Sequence, residues 1–270
     1  MTMSRRRFLN TGSAVLGSAA AALAAGCATG GPSARGRRTY LLVHGAWHGG
    51  WCWARVTPAL RAAGHDVHVI TLTGLGDRAH LNRPDINLDT HIQDVVAYLE
   101  MEDLGDIVLV GHSYAGMVIT GVADRASARL RSLLYLDAFV PENGKAMVDY
   151  IAASRRAAFI KAGSETGMSA PLPLKLFGVT APEDLAWATP RIGRQSFQTF
   201  AQPIRLANGN LHLRLPRTYV YCSNPPTGSF DEFAARIRTD PGWKFIELKT
   251  GHDAMIIAPQ GVARVLLEAA

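Results

Sequence analysis

Asp106-Ile107-Val108-Leu109-Val110-Gly111-His112-Ser113-Tyr114-Ala115-Gly116-Met117-Val118-Ile119 passes from an apolar strand to an apolar-faced helix through a turn of small residues. Asp106–Val110 has the length and β-branched content of a buried strand, and Met117, Val118, Ile119 and Val122 follow at helical spacing. Between them, Gly111–Gly116 sets Ser113 where a strand turns sharply into a helix, a turn at which only small neighbours let the two elements approach. Ala115 stands where the G-x-S-x-G form has its second glycine, and Gly116 follows it. A G-x-S match alone is weak, and a plain strand-to-helix turn is the bland reading. The strand before it and the helix after it make Ser113 a candidate nucleophile.

Outward from this turn, strand-length apolar runs alternate with amphipathic stretches, which predicts an α/β fold with a parallel sheet. Strands are expected at Tyr40–Val43, Val67–Leu72, Asp106–Val110, Leu133–Leu136, Thr218–Cys222 and Trp243–Leu248. A helix is expected over Trp53–Ala63, closed by Gly64. A second, capped by Asp89 or Thr90, carries Ile92, Val95, Val96 and Leu99 on one face. Between Glu142 and Pro216 the rhythm fails. Prolines interrupt short helical pieces there, and Met147, Phe159, Leu174, Phe177, Trp187, Phe197 and Phe200 supply apolar bulk. Such an insertion, about 142–216, reads as a lid over a site, with Trp187 a candidate substrate contact. The alternative is a second helical layer burying core.

His44-Gly45-Ala46-Trp47-His48-Gly49-Gly50-Trp51, Gly111–Gly116 and Gly251-His252 together resemble the α/β-hydrolases. The resemblance is to the branch of small plant methyl-ester esterases, hydroxynitrile lyases and their bacterial esterase relatives, and it spans nearly the whole chain after residue 39. It implies an α/β-hydrolase fold: a mostly parallel central sheet flanked by helices, with a helical lid insertion. It also implies roles. Attack of Ser113 on an ester carbonyl charges its oxygen, which needs two backbone N–H donors, expected from Tyr114 and Ala46. Gly45 keeps that loop open to substrate, while His44, His48 and Trp51 fix the loop. His252, following the last strand in Ser-then-His order, suits the general base.

The acid departs from the family pattern. Relatives carry Asp after the penultimate strand, where this chain has Ser223-Asn224-Pro225-Pro226. Asp231 follows, but Ser229-Phe230-Asp231-Glu232 reads as a helix start with Ser229 its cap. Asp137 ends the strand Leu133–Leu136 at the sheet edge where ligands bind in such folds. Three readings therefore stand: Asp137, Asn224 or no acid, and Asp231. The implied activity is hydrolysis of a small carboxylic ester, without cofactor or metal. A non-catalytic binding lipoprotein on a hydrolase scaffold is the alternative, motivated by the missing acid. Hydroxynitrile lyases carry Thr and Lys where this chain has Gly45 and Asp253, and a negative Asp253 opposes a departing cyanide.

The formal charge of +6 has one address. Of 28 basic and 22 acidic residues, Arg5, Arg6, Arg7, Arg35, Arg37 and Arg38 lie in the first 38 positions with no acid, leaving residues 39–270 neutral. The basic balance thus says nothing of nucleic acid, and no nucleic-acid motif or phosphate-binding glycine loop appears. Ser4-Arg5-Arg6-Arg7-Phe8-Leu9 resembles the twin-arginine signature of bacterial Tat export, and an apolar Ala-rich run follows from Ala14 to Ala25. Leu23-Ala24-Ala25-Gly26-Cys27 resembles a lipobox with its Leu one place early, so lipidation of Cys27 and plain cleavage both stand. Residues 1–38 are read as export signal and tether, and 39–270 as the hydrolase domain, periplasmic or membrane-anchored. Cys52 and Cys222 read as small apolar core residues.

Overall fold

The computed structural model describes residues 36–269. The export motif, the Ala-rich run and Cys27 lie outside the described residues. In chain order the elements are β1 (Thr39–Val43), α1 (Thr57–Ala62), β2 (Asp66–Ile70), α2 (Leu88–Met101), β3 (Ile107–His112), α3 (Ala115–Ala126) and β4 (Leu130–Leu136). The insertion holds α4 (Ala153–Thr166), the short strands β5 (Met168–Ser169) and β6 (Gln195–Ser196), and the helices α5 (Pro182–Ala188) and α6 (Gln198–Ala201). The chain then forms β7 (Arg217–Cys222), α7 (Asp231–Arg238), β8 (Lys244–Leu248), α8 (Ala254–Ile257) and α9 (Pro259–Ala269).

Six strands make one parallel sheet in the order β2-β1-β3-β4-β7-β8. β5 and β6 form a separate antiparallel pair within the insertion. Residues alternate between the faces of the central strands, and each face has its own core. Leu41, Val43, Leu109, Leu133 and Tyr135 pack into one, and Tyr40, Leu42, Val110, Leu134 and Leu136 into the other. That is why these strands read as unbroken apolar runs. At the edge, β8 exposes Lys244 and Glu247, charges that discourage pairing with another chain. The chain leaves β1 for β2 on one side and crosses to β3 on the other. The crevice between the carboxyl ends of β1 and β3 is therefore the topological switch point, where open α/β sheets hold their ligands.

Local chemistry explains where the elements differ from the sequence reading. Gly50–Trp53 is a single 3₁₀ turn, and α1 begins only at Thr57. Pro58 lies in its first turn, where a missing N–H costs nothing. The cap of α2 is Asn87, whose side chain accepts from the Thr90 N–H at 3.0 Å, with Thr90 Oγ1 accepting in return. Asp89 instead accepts from Arg125 and Gln202. The body also starts slightly before Thr39, because Arg38 N–H donates to His65 and Arg37 grips Asp66 at 2.6 Å on the surface. Cys52 and Cys222 are free, buried thiols. Among the described residues no helix is long and apolar enough to cross a membrane.

Candidate active site

Ser113 stands between β3 and α3 with φ at +56°, a left-handed conformation that a serine holds only when its surroundings impose it. Backbone bonds impose it here. Ser113 N–H donates to the Leu136 carbonyl at 3.2 Å, and its own carbonyl accepts from Gly116 and Phe139 at 3.0 and 3.1 Å. Gly116 must be glycine, since a Cβ there would lie 1.9 Å from the Phe139 carbonyl oxygen. Ala115, the departure from the G-x-S-x-G form, is fully buried at the start of the helix.

Facing the elbow, residues 44–48 leave β1 and turn at Trp47, whose φ is +63°. His44 pins this loop: its Nδ1–H donates to the Gly45 carbonyl, and its Nε2 accepts from Leu72 N–H at 3.1 Å. That pattern requires neutral imidazole, and burial pushes the His44 pKa down to about 3. Trp47 N–H donates to Gln195 Oε1 at 2.8 Å, tying the loop to the insertion. A Cβ on Gly45 would come 2.8 Å from His112 Nδ1 and 2.9 Å from Ser113 Cβ. Gly45 thus allows the loop to lie against the elbow; it does not itself line the cavity. The backbone N–H groups of Ala46 and Tyr114 have no acceptor among the described residues, and both residues border the cavity beside Ser113. The Tyr114 hydroxyl donates to His91 Nδ1 at 3.0 Å, where burial holds His91 neutral with a pKa of about 4.

His252 lies in the loop between β8 and α8, 3 % exposed. Its Nδ1–H donates to Asp137 Oδ2 at 2.7 Å. Asp137 is 1 % exposed, at the end of β4 with φ at +42°. Its N–H donates to the Val220 carbonyl at 2.7 Å, and its Oδ1 accepts from Cys222 N–H at 3.0 Å. Because β4 and β7 are neighbours, a carboxylate at the end of β4 reaches the space in front of β7. Burial pushes the Asp137 carboxyl up, against the pull of the His252 and Cys222 hydrogen bonds. Phe230 stacks on the His252 ring at 4.9 Å between centroids, and Phe177 packs at 5.2 Å. The His252 carbonyl accepts from His112 Nε2–H at 3.0 Å, so the loop is held from both its backbone and its side chain.

Ser113 and His252 open onto a cavity of about 600 Å³. Its walls include the aromatic residues Phe139, Tyr150, Phe159, Phe200 and Phe233, and the charged residues Asp149, Arg155, Arg156 and Glu232 also line it. The insertion supplies much of that wall, with Met147, Phe159, Phe177 and Phe200 as the sequence suggested. Trp187 is elsewhere. It packs edge-on to Trp51 at 5.1 Å with Arg55 over its ring at 4.5 Å, and it does not line the cavity. Leu174 and Phe197 are likewise core. Asp231 accepts from the Tyr221 hydroxyl at 2.8 Å in the first turn of α7. Ser229 does not cap that helix, whose N-cap is Phe230 without a side-chain bond.

His112, His252 and Asp253 bring metal-ligand atoms within 4.8 Å of one another. Each already commits one polar atom to a hydrogen bond: His112 to the His252 carbonyl, His252 to Asp137, and Asp253 to His48. Sequence reasoning had no signal for Gln195 or for the His48–Asp253 contact, since each joins segments far apart in the chain.

Known proteins match this architecture closely. The α/β-hydrolase family model matches residues 40–265. A carbendazim hydrolyzing esterase from Nocardioides sp. (strain SG-4G) is 42 % identical over 237 residues, covering 84 % of this chain and 97 % of that one. Salicylic acid-binding protein 2 of Nicotiana tabacum is 29 % identical over 86 % of this chain and 96 % of its own length. An extracellular α/β-hydrolase from a Paenibacillus species superposes with a TM-score of 0.75 at 22 % identity, covering 86 % of this chain and 99 % of that one. With the sheet order, the elbow at the end of β3 and the family match over residues 40–265, this chain belongs to the α/β-hydrolase family.

Proposed function

We propose that this α/β-hydrolase, an esterase like its relatives, cleaves a small carboxylic ester through an acyl-enzyme on Ser113. The observation that carries this reading is the buried 2.7 Å contact of His252 Nδ1–H with Asp137, beside a serine held at positive φ on the same cavity. Asp137 keeps the His252 proton on Nδ1, which leaves Nε2 bare to take the Ser113 proton. Ser113 Oγ adds to the ester carbonyl, and the oxyanion accepts from the Ala46 and Tyr114 N–H groups, which have no acceptor among the described residues. His252 then hands its proton to the departing alcohol, and water repeats the sequence on the acyl-enzyme. The aromatic wall favours an ester with a modest apolar or aromatic part. The insertion acts as the lid of that cavity.

The case for a retired, purely binding scaffold rested on the absence of an acid after β7. The contact of Asp137 with His252 supports the catalytic reading over it. Turnover of p-nitrophenyl acetate by the purified chain, lost in Ser113→Ala together with fluorophosphonate labelling, is the expected result. A folded chain that neither turns over esters nor labels would return the binding reading. The N-terminal segment is proposed as a Tat-type export signal, with Cys27 either lipidated or removed on cleavage; mass spectrometry of the mature N-terminus separates the two.

A further inference from the structure

His48 and Asp253 take no part in the chemistry just described, yet both are buried, at 2 % and 0 % exposure. They link the two loops that do. His48 Nδ1–H donates to the Ala46 carbonyl at 2.7 Å. Its Nε2 lies 3.2 Å from Asp253 Oδ2, across 205 positions of sequence. Since the Ala46 carbonyl only accepts, the Nδ1 proton is fixed there, and a second proton sits between Nε2 and the carboxylate. Asp253 directly follows His252, and its N–H donates to the carbonyl of Phe177, whose ring packs on His252. Trp51 stacks on His48 at 5.5 Å and keeps the ring in this plane.

The connection thus runs from the Ala46 peptide through the His48 ring to Asp253 and its neighbour His252. We infer that the His48–Asp253 pair is a positioning device, a strap that fixes the distance between the oxyanion loop after β1 and the base loop after β8. These loops also meet at the end of β3, where Gly45 lies against His112 and Ser113, and through the Trp47 ring stacked on Phe177, but the strap is the side-chain hydrogen bond that joins them directly. The pair acts through the other residues and touches no reacting atom. Its effect belongs to the transition state, because the oxyanion donor and the base must both be in register with Ser113 at the same moment. The inference rests on the reading of Ser113 and His252 as nucleophile and base.

The test measures kcat and KM on p-nitrophenyl acetate, and the rate of fluorophosphonate labelling, for Asp253→Ala, Asp253→Asn, His48→Ala and the double alanine variant. Each alanine variant is expected to lose about 30- to 100-fold in kcat with KM within about twofold, and to label more slowly by a similar factor. The double variant is expected to be no worse than the poorer single, since one strap is cut either way. Asp253→Asn, whose amide still donates to His48 Nε2, is expected within about fivefold of wild type. Should the alanine variants not fold, Asp253→Leu fills the space without a hydrogen bond and is expected to show the same loss. Folded alanine or leucine variants within threefold of wild-type kcat overturn the inference, as does a loss carried in KM or a failure of asparagine to rescue. An inactive, unlabelled wild type would instead overturn the functional reading beneath it.

Discussion

Asp137→Asn separates the roles most cleanly, because it changes charge and proton inventory while keeping shape. In the wild type Asp137 Oδ1 accepts from Cys222 N–H and Oδ2 accepts from His252 Nδ1–H. An asparagine must keep its carbonyl oxygen toward Cys222 N–H, since an amide NH₂ there would set two donors against each other. Its NH₂ then faces His252 Nδ1, which can only accept from it. The ring proton is forced onto Nε2, the nitrogen that the proposed mechanism needs bare to receive the Ser113 proton. The same exchange in a serine protease triad lowers kcat by about 10⁴, or about 5.4 kcal/mol at 1.36 kcal/mol per decade. We expect kcat on p-nitrophenyl acetate to fall about 10³- to 10⁴-fold, with KM within about threefold. Stability should move the other way. Burial raises the Asp137 carboxyl, and a carboxyl raised in the folded state favours folding only when protonated, a contribution lost as pH rises through its folded pKa. At neutral pH the asparagine removes that opposing ionisation, so the thermal midpoint should not drop. A parallel Asp231→Asn should leave kcat within about twofold, because Asp231 is engaged with Tyr221. Equal, small effects of the two substitutions would refute Asp137 as the acid.

Gly116→Ala would set a Cβ 1.9 Å from the Phe139 carbonyl, so unfolding by urea should show a loss of more than about 3 kcal/mol, or no soluble protein; a stability near wild type would mean the elbow is looser than described. Trp187→Ala should lower stability by about 1–2 kcal/mol through the Trp51 and Arg55 contacts while KM stays within about twofold; a large rise in KM would restore Trp187 as a substrate contact. His44 and His91 titrate near 6.5 when unfolded but near about 3 and about 4 when folded, so the unfolded chain takes up their protons first as pH falls. Between pH 6 and 4 these two histidines should together remove stability at up to about 2.7 kcal/mol per pH unit, and urea midpoints that stay level over that range would contradict their burial as neutral rings.

The sheet was legible because its signal is local. β1, β3 and β4 are buried on both faces, so each reads as an apolar run without needing its neighbours. Boundaries were less legible where a local competitor decided them. Asn87 outcompetes Asp89 and Thr90 for the cap because Asp89 is drawn to Arg125 and Gln202, partners that sequence distance conceals. Pro58 likewise selects the start of α1 from within a stretch that reads as helical throughout. In the insertion, spacing cannot tell which aromatic residues face the cavity. Phe159 and Phe200 line it while Phe197 and Trp187 pack away, and the difference is set by tertiary contacts alone.

The candidate site was legible in proportion to how much of it sits on one element. Ser113, with its strand, turn and helix, carries its own context; His252 needs only its place after the last strand. Asp137 needs the sheet order. The end of β4 and the end of β7 are adjacent only because those strands pair, and Asp137 takes backbone bonds from β7 through Val220 and Cys222. Its carboxylate therefore occupies the ground in front of β7 that Asn224 leaves without an acid, and His252 has a carboxylate partner at 2.7 Å from the neighbouring strand end. What orients a general base is the position of an acceptor beside Nδ1, and a parallel sheet offers that position from two neighbouring strand ends. A missing acid at the customary place is thus no sign of a retired site until the adjoining strand end has been read as well.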